Sequence, residues 1–220
     1  MNIRKIWKSA GLLVAGLVIL RGGNVLRNKE PVLVSVETAS EEAIKEQDWH
    51  LLLVNKWNPI PLNLKIELVE VPGGEMVDKR IYEPLMAMLN AAQHANLGPV
   101  VVSGYRTTEK QRYLMDEKVK AFQKEGYGEA EARELAEKWV AIPGTSEHQL
   151  GLAVDINGSV YEIYHWLQEN SYKYGFIFRY PGEKTDKTGI SEEVWHYRYV
   201  GIEAAKEIYK QGICLEEYLE

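Results

Sequence analysis

Apolar side chains recur at two different periods along this chain, and together they predict a mixture of helices and short strands. Spacings of three and four residues favour helices at residues 81–97, 129–140 and 161–167, another from Thr108 onward, and a last one around 204–209. Short runs rich in β-branched and aromatic residues favour strands at 49–54, 100–102 (predicted to be buried), 151–156, 176–180 and 194–200. The two kinds of element do not alternate regularly. We therefore expect an α+β fold, with a small, mostly antiparallel sheet flanked by helices.

The N-terminal pattern differs from the rest. Arg4, Lys5 and Lys8 precede an apolar run at residues 10–20 that Arg21 closes, which is typical of a secretory signal. No small-x-small cleavage site follows, so we interpret residues 1–21 as an uncleaved signal-anchor in a membrane, although spans normally need about 20 apolar residues. A cleaved signal peptide and an ordinary buried helix are the alternatives. The polar residues 22–48 are predicted to be a linker, and residues 49–220 one domain.

Composition removes some classes of function. The net charge of -6 argues against nucleic acid as a partner, since nucleic-acid-binding domains are usually basic. The single cysteine, Cys214, cannot form an internal disulfide or a cysteine-rich zinc site, and we expect it to be a partly buried packing residue. Glu216 and Glu217 are expected to lie on a solvated helix face.

Two segments hold residue types that bind and use a metal ion. His148 and Asp155 lie close in sequence, and Glu193 and His196 follow some forty residues later. Two histidines and one aspartate leave a tetrahedral ion one open position, as in catalytic zinc sites. A carboxylate beside the metal, but not bound to it, accepts a proton from the attacking water, and we expect this role for Glu193. The other histidines, for which no partner pattern is visible, are expected to be ordinary surface or core residues: His50, His94 and His165.

Strand alternation sets conditions on this site. In a strand at 151–156, alternate side chains would lie on opposite faces. One face would point into the core, with Leu152, Val154 and Ile156, and the other would be open, with Gly151, Ala153 and Asp155. His148 lies seven positions before Asp155 and would face away from it in a continuous strand. A bend near Gly151 is therefore required.

In the second segment, residues 193–196, strand alternation would also separate the two side chains of the site. Glu193 and His196 are three positions apart, and side chains at this spacing diverge in a strand. We therefore expect Glu193 at an irregular entry to the last strand, facing the water and not the metal.

These residues resemble the motifs of a known family. S-x-H-x-x-G-x-A-x-D at residues 146–155, followed by E-x-W-H at 193–196, is the pattern of zinc D-alanyl-D-alanine carboxypeptidases of the VanY type. That family belongs to a wider group with D-Ala-D-Ala dipeptidases and L,D-carboxypeptidases. Residues 103–107 with Gln111 resemble its S-G-Y-R-S/T…Q segment, and the resemblance covers about residues 49–220.

The resemblance implies a role for each matching residue. One zinc ion per chain would be held by His148, Asp155 and His196, with Glu193 as catalytic base. Arg106 would stabilise the tetrahedral oxyanion or bind the substrate carboxylate. Gln111 and Ser146 would bind substrate. Gln111 also fits a capping box begun by Thr108, and Ser146 could instead hydrogen-bond backbone.

The resemblance also implies a substrate and a location. The enzyme would remove the terminal D-alanine from peptidoglycan stem peptides at the outer face of a bacterial membrane. Such trimming supports glycopeptide resistance, because those antibiotics bind D-Ala-D-Ala. Action on tetrapeptide stems as an L,D-carboxypeptidase is the alternative within the group. A non-catalytic wall-binding module is the alternative of another class, and an intact set of metal ligands and base argues against it.

Overall fold

A computed structural model describes residues 48–220 of the chain. The helices of this part are α1 (Tyr82–His94), α2 (Thr108–Lys124), α3 (Glu129–Ala136), α4 (Glu162–Asn170), α5 (Thr185–Thr188), α6 (Ile202–Gln211) and α7 (Leu215–Leu219). The strands are β1 (Leu68–Glu70), β2 (Met76–Asp78), β3 (Val100–Ser103), β4 (Ala153–Asn157), β5 (Phe176–Phe178) and β6 (His196–Tyr199). The predicted signal-anchor at 1–21, and the linker up to residue 47, lie outside the described residues. Within residues 48–220, no helix is both long and apolar enough to cross a bilayer.

The strands form two antiparallel sheets. β1 and β2 make a two-stranded hairpin, and the larger sheet has the order β3-β4-β6-β5. The α+β prediction, with a small antiparallel sheet flanked by helices, is confirmed. In the central pair, Asp155 lies opposite His196 and Ala153 opposite Arg198. Directly opposed residues share a face of the sheet, so this register alone brings two of the predicted ligands together.

One face of the sheet packs on helices to form the main core. Val154, Ile156 and Tyr197 from β4 and β6 meet Leu85 and Met88 of α1, and all are fully buried. Burial of such side chains contributes about 1.5–3 kcal/mol each. A separate apolar cluster joins α2 to α3 through Met115, Val119, Ala132 and Ala136. Residues of α2 also line a cavity beside the opposite face of the sheet, where Asp155 and His196 lie.

Three local predictions were wrong. Residues 49–54 are not a strand, because the carbonyl groups of His50 and Leu52 accept hydrogen bonds from the Arg198 side chain instead of a neighbouring strand. The strand at 100–102 is not buried on both faces, since it lies at the sheet edge and Val100 and Val102 are exposed. The hairpin of β1 and β2 was missed because its strands have three residues each, too few to show alternation.

The strand at 151–156 was predicted correctly for one face and wrongly for the other. Leu152, Val154 and Ile156 do face the core. The second face is covered, not open, since Ala153 is fully buried and Gly151 packs against the backbone of Asp78. Only the Asp155 end of that face borders a cavity.

Candidate metal centre

The three predicted ligands come from two kinds of element. Asp155 and His196 are cross-strand neighbours on β4 and β6. His148 belongs to a short 3₁₀ helix, Glu147–Leu150, which ends at Gly151 with a φ of 68°. A residue with a Cβ adopts this left-handed conformation only at a cost, so glycine makes the turn available. The predicted bend near Gly151 is therefore confirmed, and it turns His148 toward Asp155.

The ligand atoms converge on one oxygen. Asp155 Oδ1 lies 3.3 Å from His148 Nε2 and 3.2 Å from His196 Nδ1, and all three side chains are buried. Oδ1 makes no hydrogen bond to the described residues. Tetrahedral zinc with bonds of about 2.0–2.1 Å would place its ligand atoms about 3.3 Å apart. The donor set and its spacing therefore fit a zinc ion, and within residues 48–220 this trio is the one group with that arrangement.

Each histidine is held by the ring nitrogen that does not face Asp155. His148 Nδ1 is 2.7 Å from the carbonyl oxygen of Gly104. His196 Nε2 is 3.4 Å from Oε2 of Glu147. Hydrogen bonds of this kind orient metal-binding imidazoles and fix which nitrogen keeps its lone pair. The arrangement leaves His148 Nε2 and His196 Nδ1 available to a metal.

The pKa values of the two histidines are shifted in opposite directions. Burial lowers the pKa of His148, which stays below its usual value despite the nearby Asp155 carboxylate. Burial also opposes charge on His196, but the close carboxylates of Asp155 and Glu147 outweigh it and raise the pKa of His196 to about 9. Burial likewise opposes ionisation of Asp155, yet the two histidines hold its pKa well below the usual range.

Glu193 lies beside this group without joining it. β6 begins at His196, and Glu193 sits in the turn before it, where its carbonyl accepts the His196 amide at 3.0 Å. The predicted irregular strand entry is confirmed. Glu193 Oε2 is 3.5 Å from His196 Nδ1. Burial, with the negative charges of Asp155 and Glu147 adding to it, raises the pKa of Glu193 to about 7.

Arg106 is paired with the aspartate of the trio. Its Nη2 lies 2.5 Å from Asp155 Oδ2, and its Nε donates to Ser103 Oγ at 2.9 Å. Ser103 and Asp155 are opposed on β3 and β4, so the sheet register brings the guanidinium to the carboxylate. Asp155 therefore has one oxygen tied to Arg106 and the other facing the histidines.

A cavity of about 420 Å³ borders these residues. All of the predicted site residues line it: Arg106, Gln111, Ser146, His148, Asp155, Glu193 and His196. The rest of its wall is mixed, with apolar and charged side chains of α2 (Leu114, Glu117, Lys118 and Ala121), a run at 139–141, Tyr180, Ile190 and Trp195. The cavity is large enough to hold a short peptide end beside the ligand trio.

Gln111 and Ser146 are both buried in the cavity wall. The capping-box prediction for Gln111 was wrong, because the N-cap of α2 is Thr107 and its hydroxyl accepts the Lys110 amide. Gln111 Nε2 instead donates to the Ala141 carbonyl at 2.8 Å, and its Oε1 has no partner among the described residues. The Ser146 side chain does not cap the helix that it precedes.

A buried ionic cluster behind His196 was missed from the sequence. Glu147 Oε1 lies 2.8 Å from Arg179 Nε and 3.0 Å from Arg198 Nη1. Arg179 also makes a two-point contact with Glu216, at 2.7 and 2.9 Å. The prediction of a solvated Glu216 was therefore wrong, whereas Cys214 is buried as expected. No periodicity reveals such pairs, because their members are 32 to 51 positions apart.

The sequence profile of VanY, D-alanyl-D-alanine carboxypeptidase, matches residues 74–202. The chain belongs to the VanY family. A D-alanyl-D-alanine carboxypeptidase of Enterococcus faecalis is 54% identical over 203 residues, covering 90% of this chain and 75% of that protein. The family profile spans both segments of the candidate site, from the glycine turn before β2 to the start of α6.

Two solved structures are similar to this member of the VanY family. One is a mutant of the vancomycin resistance D,D-pentapeptidase VanY from a VanB-type cassette, in complex with Zn(II), with 56% identity and a TM-score of 0.76. The alignment covers 78% of this chain and 99% of that one. The other is VanYB in complex with D-alanine-D-alanine, with 57% identity, a TM-score of 0.76, and coverage of 78% and 97%.

Proposed function

We propose that this VanY family member is a zinc-dependent D,D-carboxypeptidase that removes the C-terminal D-alanine from peptidoglycan stem peptides. The observation that carries the proposal is the convergence of His148, Asp155 and His196 at the wall of a cavity that also holds Glu193. Zn(II) and D-alanine-D-alanine are bound by solved structures 56% and 57% identical to this chain. A non-catalytic wall-binding module would have no need for a largely buried acid with a raised pKa beside three metal ligands.

The three ligands would hold one zinc ion through His148 Nε2, His196 Nδ1 and Asp155 Oδ1, the atoms that face one another. When bound there, zinc supplies a Lewis acid that polarises a carbonyl group and lowers the pKa of water. One carboxylate and two neutral imidazoles leave the ion net positive. Asp155 Oδ1, which has no hydrogen-bond partner within residues 48–220, is the buried acceptor that such a charge would satisfy.

Glu193 would act as general base and then as general acid. A group that takes up and returns a proton works best when its pKa lies near the working pH. The buried position of Glu193 brings its pKa to about 7, within that range. It would remove a proton from the water that attacks the scissile carbonyl carbon. It would then donate that proton to the amine of D-alanine as the C–N bond breaks.

Arg106 would contribute a fixed positive charge at the cavity wall. A guanidinium cannot lose its proton at physiological pH, so its charge is available throughout the reaction. Because Nη2 contacts Asp155 and Nε donates to Ser103, Nη1 is the nitrogen available to an oxyanion or a terminal carboxylate. Gln111 Oε1 and the Ser146 hydroxyl would add hydrogen bonds to the peptide, since both side chains lie in the same wall.

The choice of substrate can be tested with two peptides. The purified chain, loaded with zinc, is given pentapeptide stems ending in D-Ala-D-Ala and tetrapeptide stems ending in a single D-alanine. Release of free D-alanine from the pentapeptide alone is the expected result. Release from the tetrapeptide alone would support the L,D-carboxypeptidase alternative. Release from neither, with zinc bound, would support the non-catalytic alternative.

Glu193→Gln tests the catalytic base. We expect kcat to fall by about 10²–10⁴-fold because general base catalysis is lost, while zinc stays bound. Glu192→Gln is the matched control, since that neighbouring glutamate is exposed and does not line the cavity. Kinetics on the pentapeptide and metal analysis of the same samples provide the two measurements. Turnover that survives in the first variant would contradict the assignment.

The proposed location is the outer face of a bacterial cell membrane, with residues 1–21 as a single-pass anchor. The basic N-terminal residues and apolar run support it, as does the display of stem peptides on that side. There, removal of the terminal D-alanine would lower the number of glycopeptide binding sites. Fractionation of cells, followed by protease treatment of intact protoplasts, tests it. Protein found in the cytosolic fraction would contradict the proposal.

A further inference from the structure

The side chain of Glu147 contacts His196, the predicted metal ligand that lies far from it in sequence. It lies between Ser146 and His148 in the chain, yet its Oε2 meets His196 Nε2, 49 positions away. Its side chain is fully buried, and the cavity that holds the substrate-facing residues does not include it. Glu147 therefore reaches His196 from the side opposite the trio of ligand atoms.

The two histidines would bind the metal through different ring nitrogens. His148 presents Nε2, and a backbone carbonyl, that of Gly104, takes its Nδ1 proton. His196 presents Nδ1, so its proton must sit on Nε2. Among the described residues, the acceptor at that nitrogen is Glu147. No backbone carbonyl of residues 48–220 accepts a hydrogen bond from that nitrogen, so the hydrogen bond at Nε2 depends on one side chain.

A buried carboxylate can accept the hydrogen bond of His196 Nε2 as an anion only if its charge is compensated, because a lone buried charge is strongly disfavoured. Arg179 and Arg198 supply that compensation, and both side chains are fully buried. Both arginines contact Oε1, which leaves Oε2 for the histidine. Oε2 is thus held as an anionic acceptor.

We propose that Glu147 is a positioning residue of the metal centre, which holds His196 in the orientation and tautomer that direct Nδ1 to the zinc ion. The inference rests on the proposed zinc function. A purely structural role in the ionic cluster is the competing explanation. The structural explanation predicts that a substitution at any member of the ionic cluster lowers the stability of the fold. A positioning role predicts that zinc binding is weakened by substitution of Glu147 and not by substitution of Glu216.

Glu147→Gln and Glu216→Gln form a matched pair for the test. Each removes one carboxylate from Arg179, and Glu147→Gln also removes one from Arg198; of the two glutamates, Glu147 alone contacts His196. Zinc affinity is measured by competition with a chromophoric chelator. We expect Glu147→Gln to weaken zinc binding by about 10–100-fold, the usual effect of losing a partner of a metal-binding histidine. Glu216→Gln should remain within about 3-fold of the unsubstituted chain, because it alters no contact of a ligand.

Equal zinc affinities in the two variants would overturn the inference while leaving the proposed function intact. An unsubstituted chain that binds no zinc would contradict the proposed function, and the inference with it. Ring nitrogen chemical shifts of the unsubstituted, zinc-loaded chain give a test that needs no variant. Coordination through His196 Nδ1 and His148 Nε2 is expected, and coordination through His196 Nε2 would overturn the inference.

Discussion

At the scale of single residues, the metal centre differs from an ordinary histidine pair in its protonation. Without metal, His196 has a pKa of about 9 and is protonated at pH 7. Zinc requires the neutral ring, so its binding at pH 7 should release about one proton from His196. Affinity should therefore rise with pH up to about 9. Calorimetric titration in buffers of different ionisation enthalpy counts the protons.

The same titration contains its own control. At pH 10, His196 has already lost its proton, so proton release from it should vanish. Zinc binding at pH 7 without any proton release would contradict the raised pKa of His196.

At the scale of secondary structure elements, the turn between β3 and α2 links the sheet to the site. Gly104 packs so closely on the Met76 carbonyl of β2 that an added Cβ would collide with it. The same residue's carbonyl holds His148 Nδ1. Gly104→Ala should therefore destabilise the protein by about 1–3 kcal/mol and weaken zinc binding at the same time. Urea unfolding and the chelator competition measure the two effects.

Gly128→Ala is the control for that substitution. Gly128 precedes α3, has no atom near the position of an added Cβ, and lies away from the metal ligands. It should leave zinc affinity unchanged. A Gly104→Ala protein with full stability and full zinc affinity would show that the turn accommodates a side chain despite the close approach of Gly104 to the Met76 carbonyl.

Elements were predictable from the sequence where a local pattern determines them. The helix expected at 81–97 is α1, and the strands expected at 151–156 and 194–200 are β4 and β6 within a few residues. The bend at Gly151 followed from the requirement that His148 face Asp155. Partners set by long-range packing were not predictable. Glu147 carries no periodic signal, and its contacts exist only after the residue following β5, Arg179, and strand β6 have come together beside it.

At the scale of the whole domain, the ionic cluster joins segments that are far apart in sequence. Arg198 donates to carbonyl groups at the start of the domain, Arg179 pairs with Glu216 of α7, and Glu147 contacts both arginines. Removing one member of a buried ion pair is costly because the partner's charge remains uncompensated. The first and last segments of the domain are therefore tied to the elements that carry the metal centre.

Glu216→Gln tests whether that tie stabilises the fold. We expect a loss of about 3 kcal/mol at pH 7, because Arg179 keeps its buried charge without its second carboxylate. Burial opposes ionisation of Glu216, but Arg179 holds its pKa below the usual value. Such a group stabilises the folded state above the unfolded glutamate pKa, and the stabilisation is lost as pH falls through the folded pKa. The variant should therefore show a weaker fall in stability between pH 6 and pH 3 than the unsubstituted chain. Urea unfolding in the presence of a chelator measures the stability of the Glu216→Gln protein without a contribution from zinc. Glu203→Gln, at an exposed glutamate of α6, serves as the control that should change little. Equal pH profiles for the Glu216→Gln and unsubstituted chains would mean that the Arg179–Glu216 contact does not hold the C-terminal helix in place.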